Sequence, residues 1–165
     1  MASISLRGTS VDTTGDLPAN NTKAPEFTLV KNDLSELSLS SQAGKNIVIN
    51  IFPSIDTPVC ATSVRKFNEE AGKKNNTIVL CVSADLPFAL GRFCGAEGLE
   101  NVIPLSTFRD HSFGNQYGVL MTSGPLRGLM ARAVVIIDTN GMVKYSELVP
   151  DISSEPDYDS ALAAI

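Results

Sequence analysis

Apolar positions alternate, run together or recur every three to four residues, in an order that divides the chain into short strands and helices. Residues 3–11 alternate weakly and lead into turn-rich 12–21, so residues 1–21 read as an N-terminal β-hairpin or arm. Residues 27–30 and 36–39 read as short strands around the polar turn 31–33. Residues 45–52 are a β-branched run, near-continuously apolar from Ile47 to Phe52 with one break at Asn50, as expected of a central strand covered on both faces. Pro53 ends it. Thr57-Pro58 then opens a helix, with a hydroxyl cap and proline at the first helical position. Val64, Phe67 and Ala71 follow at helical spacing, and Gly72 is the expected stop.

The strand signal returns at 77–83, TIVLCVS. Asp85 is placed to cap a second helix with Pro87 in its first turn, running to about 93–95. A short strand at 102–105 and a helical turn within 110–116 follow. Two β runs, 131–137 and 142–149, flank Asp138-Thr139-Asn140-Gly141, and Asn-Gly between β runs is a strong hairpin signal. Residues 158–165 close as a short helix. Strand, helix, strand, helix, strand, then a hairpin and a helix predict an α/β chain. The expected architecture is a thioredoxin-like fold: a mixed central sheet, flanking helices and the N-terminal hairpin.

Composition narrows the function classes. At 165 residues the chain fits one domain, 1–165, and 43% hydrophobic against 19% charged residues allows an ordinary core. Lys+Arg number 13 and Asp+Glu 18, for a net charge of −5 without a basic cluster, which argues against nucleic acid as a partner. No apolar run approaches the ~18 residues of a membrane helix. Residues 1–20 lack a charged-then-apolar signal layout, which sets the expectation of a cytoplasmic protein. No G-x-G-x-x-G or P-loop is present to hold a nucleotide or flavin.

The three cysteines, Cys60, Cys81 and Cys94, are odd in number and include no C-x-x-C, so neither a disulfide scaffold nor a zinc site is expected. Adding the only histidine, His111, yields no zinc-knuckle spacing; it reads as a loop residue. Cys60 falls in the first turn of the expected helix, where unpaired N–H groups and the helix dipole favour thiolate over thiol. The alternative is a cysteine packed under the helix; likewise the Thr57 hydroxyl either caps or faces the sulfur. Cys94 lies near a helix end among Gly91, Gly95 and Gly98, where unwinding is easy. Cys81, between apolar strand residues, reads as a buried structural thiol. Phe27, Phe52, Phe67 and Phe93 are core candidates, and Glu147, Asp151, Glu155, Asp157 and Asp159 read as a solvated acidic face.

Residues 50–68, NIFPSIDTPVCATSVRKFN, resemble the active-site loop and helix of the bacterial thiol peroxidases, an atypical two-cysteine branch of the peroxiredoxins. The resemblance extends to Ala24-Pro25-x-Phe27, to SADLPFA at 83–89, RFCGAEG at 92–98, GPL at 124–126 and Ala131-Arg132-Ala133, covering nearly the whole chain. Asn20-Asn21 departs from the glycine-rich turn expected there. The resemblance implies that Cys60 is the peroxidatic cysteine, with Thr57, Arg132 and Pro53 completing its surroundings. For Arg132 it is the only pointer, since an arginine entering a strand otherwise reads as a solvated edge charge. Cys94 becomes the resolving cysteine, forming an intramolecular Cys60–Cys94 disulfide that thioredoxin reduces. Hydrogen peroxide and alkyl or lipid hydroperoxides are the implied substrates, no metal or organic cofactor is needed, and the implied assembly is a homodimer. A competing reading is a redox sensor that uses the same thiols to switch partners without turnover. The missing C-x-x-C argues against a disulfide reductase.

Overall fold

The computed structural model describes all residues but Met1 and Gly72, and of Ala71 the backbone only, so the helix stop expected at Gly72 lies outside the described residues. Strand β5 (Asn46–Ile51) is the axis of the sheet, and its β-branched side chains are buried from Ile47 to Ile51. It pairs in parallel with β6 (Thr77–Ser83) and antiparallel with β8 (Ala133–Ile137). On one side β7 (Val102–Ser106) continues the parallel ladder, followed by β3 (Thr28–Lys31) and β4 (Glu36–Ser38). On the other, β9 (Val143–Leu148) forms the edge. Among the described residues the order across this sheet is β4-β3-β7-β6-β5-β8-β9. The parallel ladders β5–β6–β7 come from the strand–helix alternation, β3–β4 and β8–β9 are hairpins, and β3–β7 and β5–β8 are antiparallel pairs of strands distant in sequence.

Side-chain alternation divides the core into two layers. Ile47, Ile49, Ile51, Leu80 and Val82 pack with Phe113 of α3 (Ser112–Gln116) and with Tyr117 on one face. Val48, Phe52, Val79 and Cys81 face the other way, toward α1 (Pro58–Ala71), α2 (Pro87–Glu97) and α4 (Tyr158–Ala163). Phe67 of α1, buried at about 1.5–3 kcal/mol for a side chain of this size, meets Tyr158 of α4 edge-on at 5.2 Å. Asp157 caps α4 by accepting from the Ser160 N–H.

The hairpin expected at the N-terminus is β1 (Ser3–Leu6) and β2 (Thr9–Asp12), joined through Arg7-Gly8. It stands apart from the main sheet and docks through Ser5, whose N–H donates to Pro150 at 2.8 Å and whose carbonyl accepts from Ile152 at 2.9 Å. Ile4 and Val11 pack there against Met121, Ala131 and Ile152. Gly118 makes the junction behind the arm possible: its φ is +70°, and a Cβ there would lie 2.2 Å from the Asp16 carbonyl oxygen.

Two local expectations are corrected, at Asp85 and Phe93, and the Asn-Gly hairpin is met. Asp85 does not cap α2; the capping position is Leu86, with no side-chain hydrogen bond, and the helix runs on to Glu97. The expected β8–β9 hairpin forms, with Asp138 building its turn by accepting from the Asn140 and Met142 N–H groups and Gly141 left-handed. Phe93 is half-buried beneath the Arg65 guanidinium, whereas Phe27, Phe52 and Phe67 are core.

Candidate active site

Beyond β5 the chain keeps one more ladder bond, Phe52 N–H to Val82 at 3.2 Å, and then turns at Pro53. The loop that follows is held by Asp85. Its carboxylate accepts from the Ser54 hydroxyl at 2.8 Å, the Ile55 N–H at 2.7 Å and the Ser83 hydroxyl at 2.7 Å. A carboxylate accepting from several donors is a strong anchor, and this one ties the loop to the end of β6. The Thr57 hydroxyl donates to the Ser54 carbonyl at 2.9 Å, so it closes the loop instead of capping α1. Pro58 opens the helix, and Cys60 is its third residue, fully buried.

The Cys60 sulfur faces Arg132, which immediately precedes β8 and is only 2% exposed. Its Nη1 donates to Cys60 Sγ at 3.3 Å, while Nε and Nη2 donate to the Ile152 carbonyl at 3.0 and 2.8 Å. The Arg132 carbonyl in turn accepts from the Val149 N–H at 3.0 Å. The arginine is therefore buried and fixed, not the solvated edge charge that its position at a strand entrance suggested. No carboxylate pairs with it among the described residues, so its positive charge is directed at a sulfur and a carbonyl.

A cleft of about 630 Å³ opens over this arrangement, lined by Leu6 and Arg7 of the hairpin, Pro53, Thr57, Leu126 and Arg132 among others, and by no carboxylate. It brings together Pro53, Thr57 and Arg132 beside Cys60. A second hollow of about 540 Å³ lies between residues 23–26 and 137–141, at the start of β5, and has no cysteine in its lining.

Cys94 is on α2 and does not line the cleft, yet it shares one apolar cluster with Cys60 and Cys81 beneath the helices. All three thiols are free. Burial pushes the Cys94 thiol up from its ordinary pKa. Cys81, in mid-β6, is pushed up chiefly by burial and further by Cys94, with a hydrogen bond from Asn50 acting in the opposite direction. Gly98, at φ +66°, ends α2 in the left-handed conformation, and the Leu99 N–H reaches back to the Cys94 carbonyl at 3.0 Å. Across the top of these helices Arg65 pairs in a fork with Glu97 at 3.0 and 2.8 Å.

His111 is exposed, and the acidic side chains near the C-terminus serve local turns, as Asp151 does for Ser153. Among the described residues no group of three His, Cys, Asp or Glu side chains is placed to hold a metal ion, and no helix is long and apolar enough to cross a membrane. Sequence reasoning missed the Asp85 clamp, the Ile152 carbonyl and the part the hairpin plays in the cleft wall.

Comparison with known proteins agrees with this geometry. The Redoxin family model matches residues 19–162. The chain is 58% identical to the thiol peroxidase of Mycobacterium tuberculosis over 165 residues, covering 100% of this chain and 99% of that protein. With the thiol peroxidase of Corynebacterium glutamicum the identity is 54% at the same coverage. Among solved structures, a peroxiredoxin-like protein from Aquifex aeolicus superposes with a TM-score of 0.92 at 40% identity, covering 100% of this chain and 98% of the other.

Proposed function

Because the chain belongs to the thiol peroxidase branch of the redoxin family and is a peroxiredoxin-type, thiol-dependent peroxidase, we propose that Cys60 is the thiol that attacks the peroxide. The observation that carries the assignment is the Arg132 guanidinium, which lines the cleft, donating to the buried Cys60 Sγ at 3.3 Å. No carboxylate pairs with this buried cation among the described residues, so it is placed to stabilise negative charge on the sulfur it faces.

The thiolate attacks one peroxide oxygen in line with the O–O bond. That bond breaks, the distal oxygen takes a proton and leaves as water or alcohol, and Cys60 is left as a sulfenic acid. Charge grows on the leaving oxygen during this step, and the fixed guanidinium is already placed to stabilise it. The Thr57 hydroxyl, its proton given to Ser54, keeps its oxygen free to accept from the peroxide O–H and orient it. Pro53 walls the sulfur from bulk water. Cys94 then attacks the sulfenic sulfur, releasing water and forming a Cys60–Cys94 disulfide. An external dithiol of the thioredoxin type restores both thiols by exchange. Shared burial in one apolar cluster supports the pairing of the two helices.

The apolar cleft wall favours alkyl and lipid hydroperoxides alongside hydrogen peroxide. We further assign residues 1–165 to one catalytic domain, acting as a homodimer in the cytoplasm, where thioredoxin-type reductants keep thiols reduced. Rapid-quench peptide mass spectrometry tests the reading. Reduced protein mixed with one equivalent of hydroperoxide should form a Cys60–Cys94 disulfide with Cys81 still alkylatable, and Cys94→Ala should consume one equivalent and then stall. Sustained thioredoxin-driven turnover by Cys94→Ala would refute the resolving role.

A further inference from the structure

Asn50 is a fully buried amide in the middle of β5. Strand alternation puts it beneath α1 and α2, opposite Cys81 in the parallel ladder and Val134 in the antiparallel one. A polar group at such a position is costly unless its hydrogen bonds are used. Its nitrogen side is used, toward Ser63 and toward Cys81, and its oxygen is not. Nδ2 donates to the Ser63 hydroxyl at 3.2 Å, while Oδ1 has no partner among the described residues. The Ser63 hydroxyl passes its own proton on, donating to the Cys60 carbonyl at 2.8 Å. One residue earlier the Thr62 hydroxyl donates to the Pro58 carbonyl at 2.9 Å. The first turn of α1 is thus clasped twice by side chains, and the clasp on the Cys60 peptide is the one anchored in the sheet.

Cys60 is turned to Arg132, Cys94 is carried by a different helix and both thiols are free, so joining the sulfurs calls for movement in these helices, the Cys60 turn among the parts that can open. We propose that Asn50, acting through Ser63, is a positioning residue that holds this turn closed and so sets how long a Cys60 sulfenic acid stays against Arg132. The inference rests on the disulfide reading above. While the turn is closed, a second hydroperoxide can oxidise the sulfenate to sulfinate, its O–O bond breaking and an alcohol or water leaving. Once it opens, the Cys94 sulfur displaces water and the disulfide forms. Removing the clasp favours the second route.

The test measures Cys60 sulfinate and Cys60–Cys94 disulfide by quenched mass spectrometry at a fixed excess of cumene hydroperoxide. It compares the wild-type chain, Ser63→Ala, and Asn50→Leu combined with Ser63→Ala, the pair in which no buried amide is orphaned. Loss of one buried hydrogen bond should lower the sulfinate-to-disulfide ratio roughly fivefold in both variants, with the rate of first Cys60 oxidation unchanged. A wild-type disulfide with an unchanged or higher ratio in Ser63→Ala overturns the clasp and leaves the proposed function standing. A wild-type chain that forms no such disulfide overturns both. If the double variant does not fold, Ser63→Ala alone decides.

Discussion

Arg132 has a single arrangement open to it. Three of its donors are committed, one to a sulfur and two to the same backbone carbonyl, and at 2% exposure no water takes their place. Arg132→Met is expected to slow the first oxidation of Cys60 by about 10²–10³, the usual cost of losing a fixed donor aimed at developing charge. Arg132→Lys should recover little, because an ammonium cannot reach the sulfur and hold Ile152 through a planar fork. Stopped-time thiol counting with hydrogen peroxide measures both, and a methionine variant within threefold of wild type would remove Arg132 from the chemistry. Cys81 is the opposite case. It shares the apolar cluster that holds Cys94, yet Cys81→Ala should leave thioredoxin-linked turnover within about twofold and cost stability as a small core truncation does.

At the scale of elements, the loop at residues 54–57 is held to the sheet by one carboxylate. Asp85→Ala deprives the Ser54 hydroxyl, the Ile55 N–H and the Ser83 hydroxyl of their acceptor together. Hydrogen bonds to a charged group contribute about 1.5–3 kcal/mol, so the loop should lose order, with kcat/KM falling at least tenfold through misplacement of Pro53 and Thr57. Hydrogen exchange should report faster opening at Ile55; slow exchange there with normal kinetics would show that the clamp is dispensable. This element also shows what the sequence could and could not tell. The strands were legible because β5 and β6 are apolar on both faces, and α1 because Pro58 and its following apolar spacing are local signals. Asp85 was misread because a carboxylate two residues before a helical proline carries the same local signature whether it caps the helix or reaches 30 residues back to a loop. Arg132 was beyond any spacing argument, since 72 residues separate it from Cys60 and the sheet alone brings them together. Only family resemblance pointed to it.

For the whole molecule, the buried thiols make stability depend on alkaline pH. Cys81 and Cys94 are both pushed up, mainly by burial. In the unfolded chain a thiol ionises near about 8.5, so above that value the native state retains protons that the unfolded state releases. The unfolded state then binds fewer protons, and stability must fall as pH rises. Under reducing conditions the urea midpoint should decline between about pH 8 and 9.5, before the buried Tyr117 hydroxyl and the half-buried Tyr158 hydroxyl, pushed up by burial and, for Tyr158, by Glu155, add to the loss. Cys81→Ala should flatten the decline; a midpoint constant across this window would contradict the placement of both thiols.

The lacing around Arg132 has a consequence for how this protein can be watched. Residues 149–152 bond to the Arg132 backbone, to its guanidinium and to β1, and the same guanidinium bonds the sulfur. Detachment of this C-terminal segment therefore strips Cys60 of its fixed cation in the same event. The thiol becomes a reporter for a distant stretch of chain: its alkylation rate and the deuteration of the Val149 and Ile152 amides should rise and fall together through temperature or mild urea. A fusion or partner that tugs on the C-terminus would then act as a throttle on the sulfur without entering the cleft.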